Sequence, residues 1–396
     1  MHNPRLELLR DYPFQRLRDL LDPIKPKTDR KPISMSLGEP QHPFPEFVGE
    51  ILHANRHLYS VYPPANGTPD FRQAAADWLN RRYDLPAGMI DPEIHVVPVT
   101  GTREGLFMFA QAVVPQSKNG QQPLVAMPNP FYQCYVGAAV IAGGEPLHIP
   151  SLAKNNVLPD LQGLDKAVLD RIALVYLCTP ANPQGTIADM DYLKAAIRLA
   201  RKHDFVLTVD ECYAEIYDKE KPPGALQACA EMGGDMSNVV VFHSLSKRSS
   251  VPGLRSGFCA GDAAALAGLV KLRSYGAAGS SLPALAASAA LWRDEAHVVT
   301  TRQSYRDKID LAQNIIGNRY GFYRPPGGFF LWLDVGDGEA AARKLWEEAA
   351  VRVLPGLYLI KDSAASTEFG RPYIRIALVN DLATTRDALE RIRDVL

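Results

Sequence analysis

Residues 239–258 read Val239-Val240-Val241-Phe242-His243-Ser244-Leu245-Ser246-Lys247-Arg248-Ser249-Ser250-Val251-Pro252-Gly253-Leu254-Arg255-Ser256-Gly257-Phe258. The β-branched run Val239–Phe242 has the pattern of a buried strand. Just past it, Lys247 stands among hydroxyls, with Arg255 eight residues on. A lysine beyond a strand end, ringed by anion-binding groups, points to a Schiff-base site beside a bound phosphate. A solvated Lys/Arg loop has the same composition, so the rest of the chain must decide.

Working outward, apolar strands alternate with longer helical segments from about residue 95. His95–Val99, Pro123–Met127, Ile172–Cys178, Phe205–Val209 and Val239–Phe242 read as strands. Arg103–Ala112, Gln133–Ala142 and Asp191–Lys202 read as helices between them, and Pro69 opens an earlier one through Phe71, Ala75, Trp78 and Leu79. This alternation implies an α/β fold with a mostly parallel sheet, whose ligands gather at the carboxyl ends of the strands. An alanine-rich stretch from Leu282 to about Ile316 reads as one long helix. Beyond it an α+β pattern follows: strands at Phe329–Asp334, Val351–Leu354 and Tyr373–Leu378, helices at Glu339–Ala349 and Thr384–Leu396. The expected organisation is an N-terminal arm over residues 1–45 that joins a small domain, a large domain over 46–290, and the rest of the small domain over 291–396. Within the arm, Leu6, Leu9, Phe14, Leu17 and Leu20 form an amphipathic stretch, and Pro32–Pro45 reads as an extended connector.

Composition narrows the function classes. The chain has 396 residues, 43 Lys+Arg against 44 Asp+Glu, and 46% hydrophobic residues. Near-zero charge gives no electrostatic case for nucleic acid or an anionic membrane. Residues 1–20 lack the apolar core of a secretory signal, and no uncharged run is long enough to span a bilayer. The five cysteines, Cys134, Cys178, Cys212, Cys229 and Cys259, have neither zinc-ligand nor disulfide-framework spacing. No metal site is expected, and a reducing, cytoplasmic setting is the simplest inference.

Each strand end carries a polar motif. Gly101-Thr102-Arg103-Glu104-Gly105 lies between strand and helix, where backbone N–H groups bind anions, although an ordinary turn looks the same. Tyr132, after Pro128-Asn129-Pro130-Phe131, is an aromatic that either stacks on a flat ligand or packs in a core. Asn182 sits between prolines in Thr179-Pro180-Ala181-Asn182-Pro183-Gln184-Gly185 and either caps a turn or uses its amide on a ligand. Asp210 ends a buried strand, where a carboxylate costs several kcal/mol unless a cation pairs with it. That cation is either a scaffold residue or a protonated pyridine nitrogen. Arg375, inside the apolar strand Tyr373–Leu378, suits a planar carboxylate or an internal salt bridge. Together these features ask for one ligand with a phosphate, an aromatic ring, a basic ring nitrogen and an aldehyde, which is pyridoxal 5′-phosphate (PLP).

The ordered set resembles the class I/II, fold-type I PLP-dependent aminotransferases along nearly the whole chain. By that resemblance, Lys247 bonds the cofactor aldehyde and moves the substrate Cα proton. Asp210 pairs with the ring nitrogen, Tyr213 and Asn182 hydrogen-bond the ring oxygen, and Tyr132 stacks on the ring. The Thr102 and Arg103 amides, Ser244, Ser246 and Arg255 hold the phosphate. Tyr62, in Tyr62-Pro63-Pro64-Ala65-Asn66-Gly67, reaches the phosphate of a neighbouring subunit, implying a homodimer with shared sites. Arg375, Asn182 and the Gly38 backbone grip the substrate carboxylate. Where the family often has Asn-Pro-Thr-Gly, this chain has Asn182-Pro183-Gln184-Gly185, which leaves Asn182 and Gly185 in place.

A closer resemblance is to the succinyldiaminopimelate aminotransferases of bacterial lysine biosynthesis. It is carried by Leu8-Leu9-Arg10-Asp11-Tyr12-Pro13-Phe14, Ser36-Leu37-Gly38-Glu39-Pro40, Thr100-Gly101-Thr102-Arg103-Glu104, Asn129-Pro130-Phe131-Tyr132-Gln133 and the Lys247 stretch. It implies exchange of an amino group between N-succinyl-L,L-diaminopimelate and 2-oxoglutarate. Arg103 stands where many aminotransferases carry a small or hydroxyl residue, and its side chain is expected to reach a distal substrate carboxylate. An aspartate, aromatic or acetylornithine-type transaminase and a PLP-dependent C–S lyase share most of these motifs. A PLP-binding transcription regulator needs a DNA-binding domain, and the roughly 35 residues before Ser36 are too few for one.

Overall fold

Strand β8 (Val239–Ser244) shows how the chain builds its main sheet. Its residues alternate between two apolar clusters: Val240 and Phe242 join one with Phe109 and Tyr135, while Val239 and Val241 join another with Trp78, Phe205 and Trp292. A strand whose two faces are both buried reads as a continuous apolar run, and helices must cover both sides. The computed structural model describes residues 3–152, 157–276, 279–361 and 367–396.

The sheet has eight strands. In chain order they are β2 (Val96–Val99), β3 (Leu124–Asn129), β4 (Glu145–Leu152), β5 (Leu158–Pro159), β6 (Ile172–Cys178), β7 (Val206–Asp210), β8 and β9 (Gly257–Gly261), after a short β1 (Ile33–Ser34) outside this sheet. Their spatial order is β2-β9-β8-β7-β6-β3-β4-β5. From β8 to β4 all pairings are parallel, whereas β9 runs antiparallel to both neighbours and β5 antiparallel to β4. The mostly parallel α/β sheet expected from the sequence is therefore present. Sequence periodicity misses β9, because Gly257 and Gly261 dilute its apolar pattern. Gly257 is required there: a Cβ would lie 2.5 Å from the His243 carbonyl oxygen of the adjoining strand.

The C-terminal segment forms a second, separate core. Strands β10 (Phe330–Asp334), β12 (Leu354–Pro355) and β13 (Tyr373–Ala377) pair antiparallel in the order β10-β13-β12. Helices Gly338–Ala349 and Leu382–Val395 supply Leu345 and Leu389 to this core, and the N-terminal segment adds Leu17, Leu21 and Ile33. A two-stranded parallel pair, β1 with β11 (Val351–Arg352), also ties the N-terminal segment to this region.

Three element expectations need correction. The single strand Val351–Leu354 is two: β11 pairs with β1, and after Val353 the chain turns so that β12 pairs with β13. The amphipathic arm is a 3-10 turn, Pro4–Leu8, with Leu6 exposed, and then a helix, Pro13–Leu21, that buries Leu17 and Leu20. The long alanine-rich helix is also two, Leu282–Arg293 and Ala296–Ile316. Asp294 breaks it by leaving helical geometry and accepting the His297 N–H through its carboxylate at 3.1 Å. The buried Arg248 satisfies the end of the first helix, donating to the carbonyls of Leu291 (2.6 Å) and Asp294 (3.0 Å).

Candidate active site

β2, β3, β6, β7 and β8 all point their carboxyl ends the same way, and the chemistry-bearing residues follow those ends. A cleft of about 570 Å³ opens there. After β8 the chain makes one helical turn, Leu245–Arg248, capped by Ser244, whose Oγ accepts the Ser246 N–H at 3.1 Å. That turn aims Lys247 into the cleft, where its amine donates to the Gly38 carbonyl. Burial lowers the Lys247 pKa from 10.5 to about 8, and the nearby Arg375 and Arg103 guanidinium groups add to the lowering.

β7 delivers Asp210 to the cleft floor, 5% exposed. Its carboxylate accepts the Tyr135 hydroxyl at 2.8 Å and the Cys212 N–H at 3.3 Å, and burial raises its pKa. It has no ion-pair partner among the described residues. Tyr213, three residues on, lines the same cleft with its ring edge-on to Phe329 and Phe330. From the loop after β6 comes Asn182, and after β3 comes Tyr132, the residue that immediately precedes the helix Gln133–Ala142.

The helix Thr102–Val113 starts at the cleft wall, beside Ser244, Ser246 and Arg255. Gly101 precedes it at φ 82°, and a Cβ there would lie 2.1 Å from Arg255 Nη2. Glycine thus both adopts the left-handed backbone and lets the guanidinium pass. Arg103 Nε donates to the Tyr132 hydroxyl at 2.5 Å, and its guanidinium lies 6.0 Å from the Tyr12 ring centre. No carboxylate pairs with Arg103 among the described residues.

The second core closes the cleft from the other side. Arg375, on β13, is 4% exposed and donates to Asn182 Oδ1 at 3.0 Å and to the Ser36 carbonyl at 2.8 Å, while its Nε has no partner. Burial lowers its pKa to about 10, which leaves it cationic at neutral pH.

The cleft therefore gathers Gly38, Thr102, Arg103, Tyr132, Asn182, Asp210, Tyr213, Ser244, Ser246, Lys247, Arg255 and Arg375. Tyr62 is not among its lining residues in this chain and stands 97% exposed. Sequence reasoning missed Tyr135, which holds Asp210, and Tyr12, which brings the N-terminal segment to the cleft. Tyr135 had a legible signal, since it lies three residues, about one helical turn, after Tyr132 and so on the same side of the helix start. It missed also the buried network behind Asp210, where Glu211 accepts from Tyr83 (2.7 Å) and the Ala225 N–H (2.8 Å).

Comparison with known proteins agrees with this geometry. Residues 30–392 match the family model of aminotransferase class I and II. The chain belongs to the class I and II aminotransferases. An LL-diaminopimelate aminotransferase of Desulforudis audaxviator is 30% identical over 405 residues, covering 99% of this chain and 97% of that protein. Among solved structures, an aminotransferase from Neisseria meningitidis is 40% identical with a TM-score of 0.93, covering 99% of both chains. Aminotransferase AspB from Helicobacter pylori is 36% identical with a TM-score of 0.89, covering 98% of both. The family's fold is fold-type I and its cofactor is PLP.

The residues present fit that cofactor. Asp210 is a buried carboxylate without a protein cation, as a protonated ring nitrogen requires. The first turn of Thr102–Val113, the Ser244 and Ser246 hydroxyls and Arg255 together form an anion cradle. Among the described residues no cluster of His, Cys, Asp or Glu could hold a metal ion, and no helix is long and apolar enough to cross a membrane.

Proposed function

We propose that this aminotransferase exchanges an amino group between N-succinyl-L,L-diaminopimelate and 2-oxoglutarate, in diaminopimelate and lysine biosynthesis. PLP, when bound, supplies the aldehyde that takes up the substrate amine and the ring that accepts the electrons left as Cα loses its proton. The chain's residues do the rest. Lys247 would hold the cofactor aldehyde until the substrate amine displaces it, and the freed Nζ would then take the Cα proton. The depressed pKa suits it to both tasks. Asp210 holds the proton on the ring nitrogen, and Tyr213 and Asn182 donate to the ring oxygen. Tyr132 covers the ring face. The Thr102 and Arg103 amides, Ser244, Ser246 and Arg255 hold the phosphate, and Arg375 with Gly38 orients the substrate α-carboxylate.

One observation carries the substrate class: besides Arg255, assigned to the phosphate, two more arginines, Arg375 and Arg103, line the cleft, and Arg103 has no carboxylate partner among the described residues. A substrate with acidic groups at both ends satisfies both. Succinylation removes the distal ammonium and leaves only negative charge there. Unsubstituted LL-diaminopimelate is the second reading, supported by the name of the relative at 30% identity.

The deciding experiment measures glutamate formation from 2-oxoglutarate with each donor. A higher kcat/KM for the succinylated donor supports the first reading, and turnover of LL-diaminopimelate alone supports the second. Turnover of neither sinks both. Arg103→Ala is expected to raise KM for the succinylated donor about tenfold or more, and an unchanged KM removes Arg103 from that role.

The same reading extends to assembly and setting. The chain acts as a homodimer in the cytoplasm, and Tyr62 reaches the cofactor phosphate of the neighbouring subunit. Its exposure in the single chain supports this. Sedimentation gives the mass, and Tyr62→Phe should weaken PLP binding. The proposed division into residues 1–45 with 291–396, and 46–290, is supported by the cluster that joins Leu17 and Ile33 to Leu345 and Leu389, apart from the two clusters flanking the main sheet, and is testable by limited proteolysis.

A further inference from the structure

Tyr135 takes no part in the roles above, yet it makes the shortest hydrogen bond to Asp210, 2.8 Å from phenol oxygen to Oδ2. The chain fixes this phenol with unusual thoroughness. Tyr135 is fully buried in the first turn of the helix Gln133–Ala142. Its ring stacks on Tyr176 with centroids 4.5 Å apart and planes within 9°. The Tyr176 hydroxyl is itself anchored, donating to the Leu106 carbonyl at 2.7 Å. Tyr132, one helical turn earlier, meets Tyr135 edge-on at 5.5 Å. A single helix start therefore places one tyrosine on the cleft face and another beneath it, against the carboxylate.

We propose that Tyr135 is a positioning residue that keeps Asp210 ionised and oriented toward the cofactor's ring nitrogen. A buried carboxylate without a protein cation favours its neutral form, and fixed neutral donors counter that tendency. At the cleft wall Asp210 is stabilised by the Cys212 side chain and N–H (3.3 Å), by the Tyr135 hydroxyl and, through space, by His243, and of the two oxygen contacts with stated distances the Tyr135 hydroxyl at 2.8 Å is the closer. Burial holds the Tyr135 phenol well above its ordinary pKa, so it remains a donor. Without that donor the carboxylate becomes a stronger base. The proton it shares with the ring nitrogen moves toward oxygen, and the ring becomes less cationic. A less cationic ring makes the nitrogen joining Lys247 to the cofactor more basic.

The test is Tyr135→Phe, which removes one hydroxyl and keeps the stacked ring. The readout is a pH titration of the visible absorption of the holoenzyme without substrate, so the result is independent of which amino acid the enzyme uses. The titration midpoint should rise by roughly half a unit to one unit, and PLP should bind the apo-protein roughly tenfold more weakly. Tyr176→Phe, which disturbs the same stack without touching Asp210, should leave the midpoint in place. An unmoved midpoint in Tyr135→Phe, or equal shifts in both variants, overturns the proposal. The double variant of Tyr135→Phe with Asp210→Asn has no carboxylate in need of a donor. Its midpoint should match Asp210→Asn alone, and a further shift also overturns the proposal.

Discussion

The Arg375 guanidinium donates to Asn182 Oδ1 at 3.0 Å, linking β13 of the second core to the loop after β6 of the main sheet. Since Asn182 spends its oxygen on Arg375, its amide N–H groups are left to donate elsewhere in the cleft. One side chain thereby couples Arg375, the proposed carboxylate-binding arginine, to the proposed cofactor pocket.

Arg375→Lys should lower kcat/KM for both the amino acid and the oxo acid on the order of a hundredfold. A lysine has a point charge in place of the planar fork, and a buried ammonium readily loses its proton. The visible absorption of the holoenzyme should stay as in the parent. Steady-state kinetics with each substrate, together with the spectrum, check this. A loss confined to one substrate contradicts a shared α-carboxylate site.

The Lys247 amine should make the apo-protein combine with PLP readily near neutrality. At pH 7.5 a pKa of 8 leaves about a quarter of the amine neutral, against about one part in a thousand at 10.5. The rate should therefore level off just above pH 8. The same shift has a stability sign. Between about pH 8 and 10.5 the unfolded chain keeps a proton that the folded chain has lost, so the apo-protein gains stability as pH rises there. Lys247→Met should be more stable than the parent at pH 7, and that difference should shrink through this window. Denaturant titrations of both apo-proteins at pH 7 and 10 measure it.

Much of the site was legible because strand ends carry it. Asp210, Asn182 and Lys247 each follow an apolar run long enough to be read as a strand, and a polar group at such an end is costly without a ligand. Arg375 was legible for the same reason, as a charge inside an apolar strand. Tyr135 was less so, since its value depends on the register that sets β7 beside β6 and brings Asp210 near Tyr176. The break at Asp294 was hidden because the flanking alanines keep helical propensity high and the residue that caps the break, Arg248, lies 46 positions away. Tyr12 reaches the cleft only through the tertiary docking of the helix Pro13–Leu21.

Asp210→Asn should reduce kcat by about a thousandfold or more while the protein stays folded. The amide preserves shape but carries no charge to keep a ring nitrogen protonated, and that charge is what lets the ring take electrons from Cα. The variant should still accept PLP, with altered absorption. Single-turnover measurements of Cα proton loss, using deuterated donor, check it. A kcat within tenfold of the parent rules out this role for Asp210.

Arg248, next to Lys247, is expected to act on stability rather than chemistry. Its side chain points away from the cleft, donating to the Leu291 and Asp294 carbonyls and to Glu295 Oε1 at 2.8 Å, and its guanidinium lies over the packed pair of Trp78 and Trp292 rings, 5.7 and 5.1 Å from their centres. Arg248→Met keeps the aliphatic packing but leaves the carbonyls at the end of Leu282–Arg293 without donors, at a cost of about 2–4 kcal/mol. Arg248→Lys restores the charge without the fork and should recover less than half of that. Urea unfolding of the holoenzyme measures both. Because the helix break sits behind the lysine-bearing turn, KM values should move less than twofold in either variant. A large KM change with unaltered stability places Arg248 in the cleft's chemistry instead.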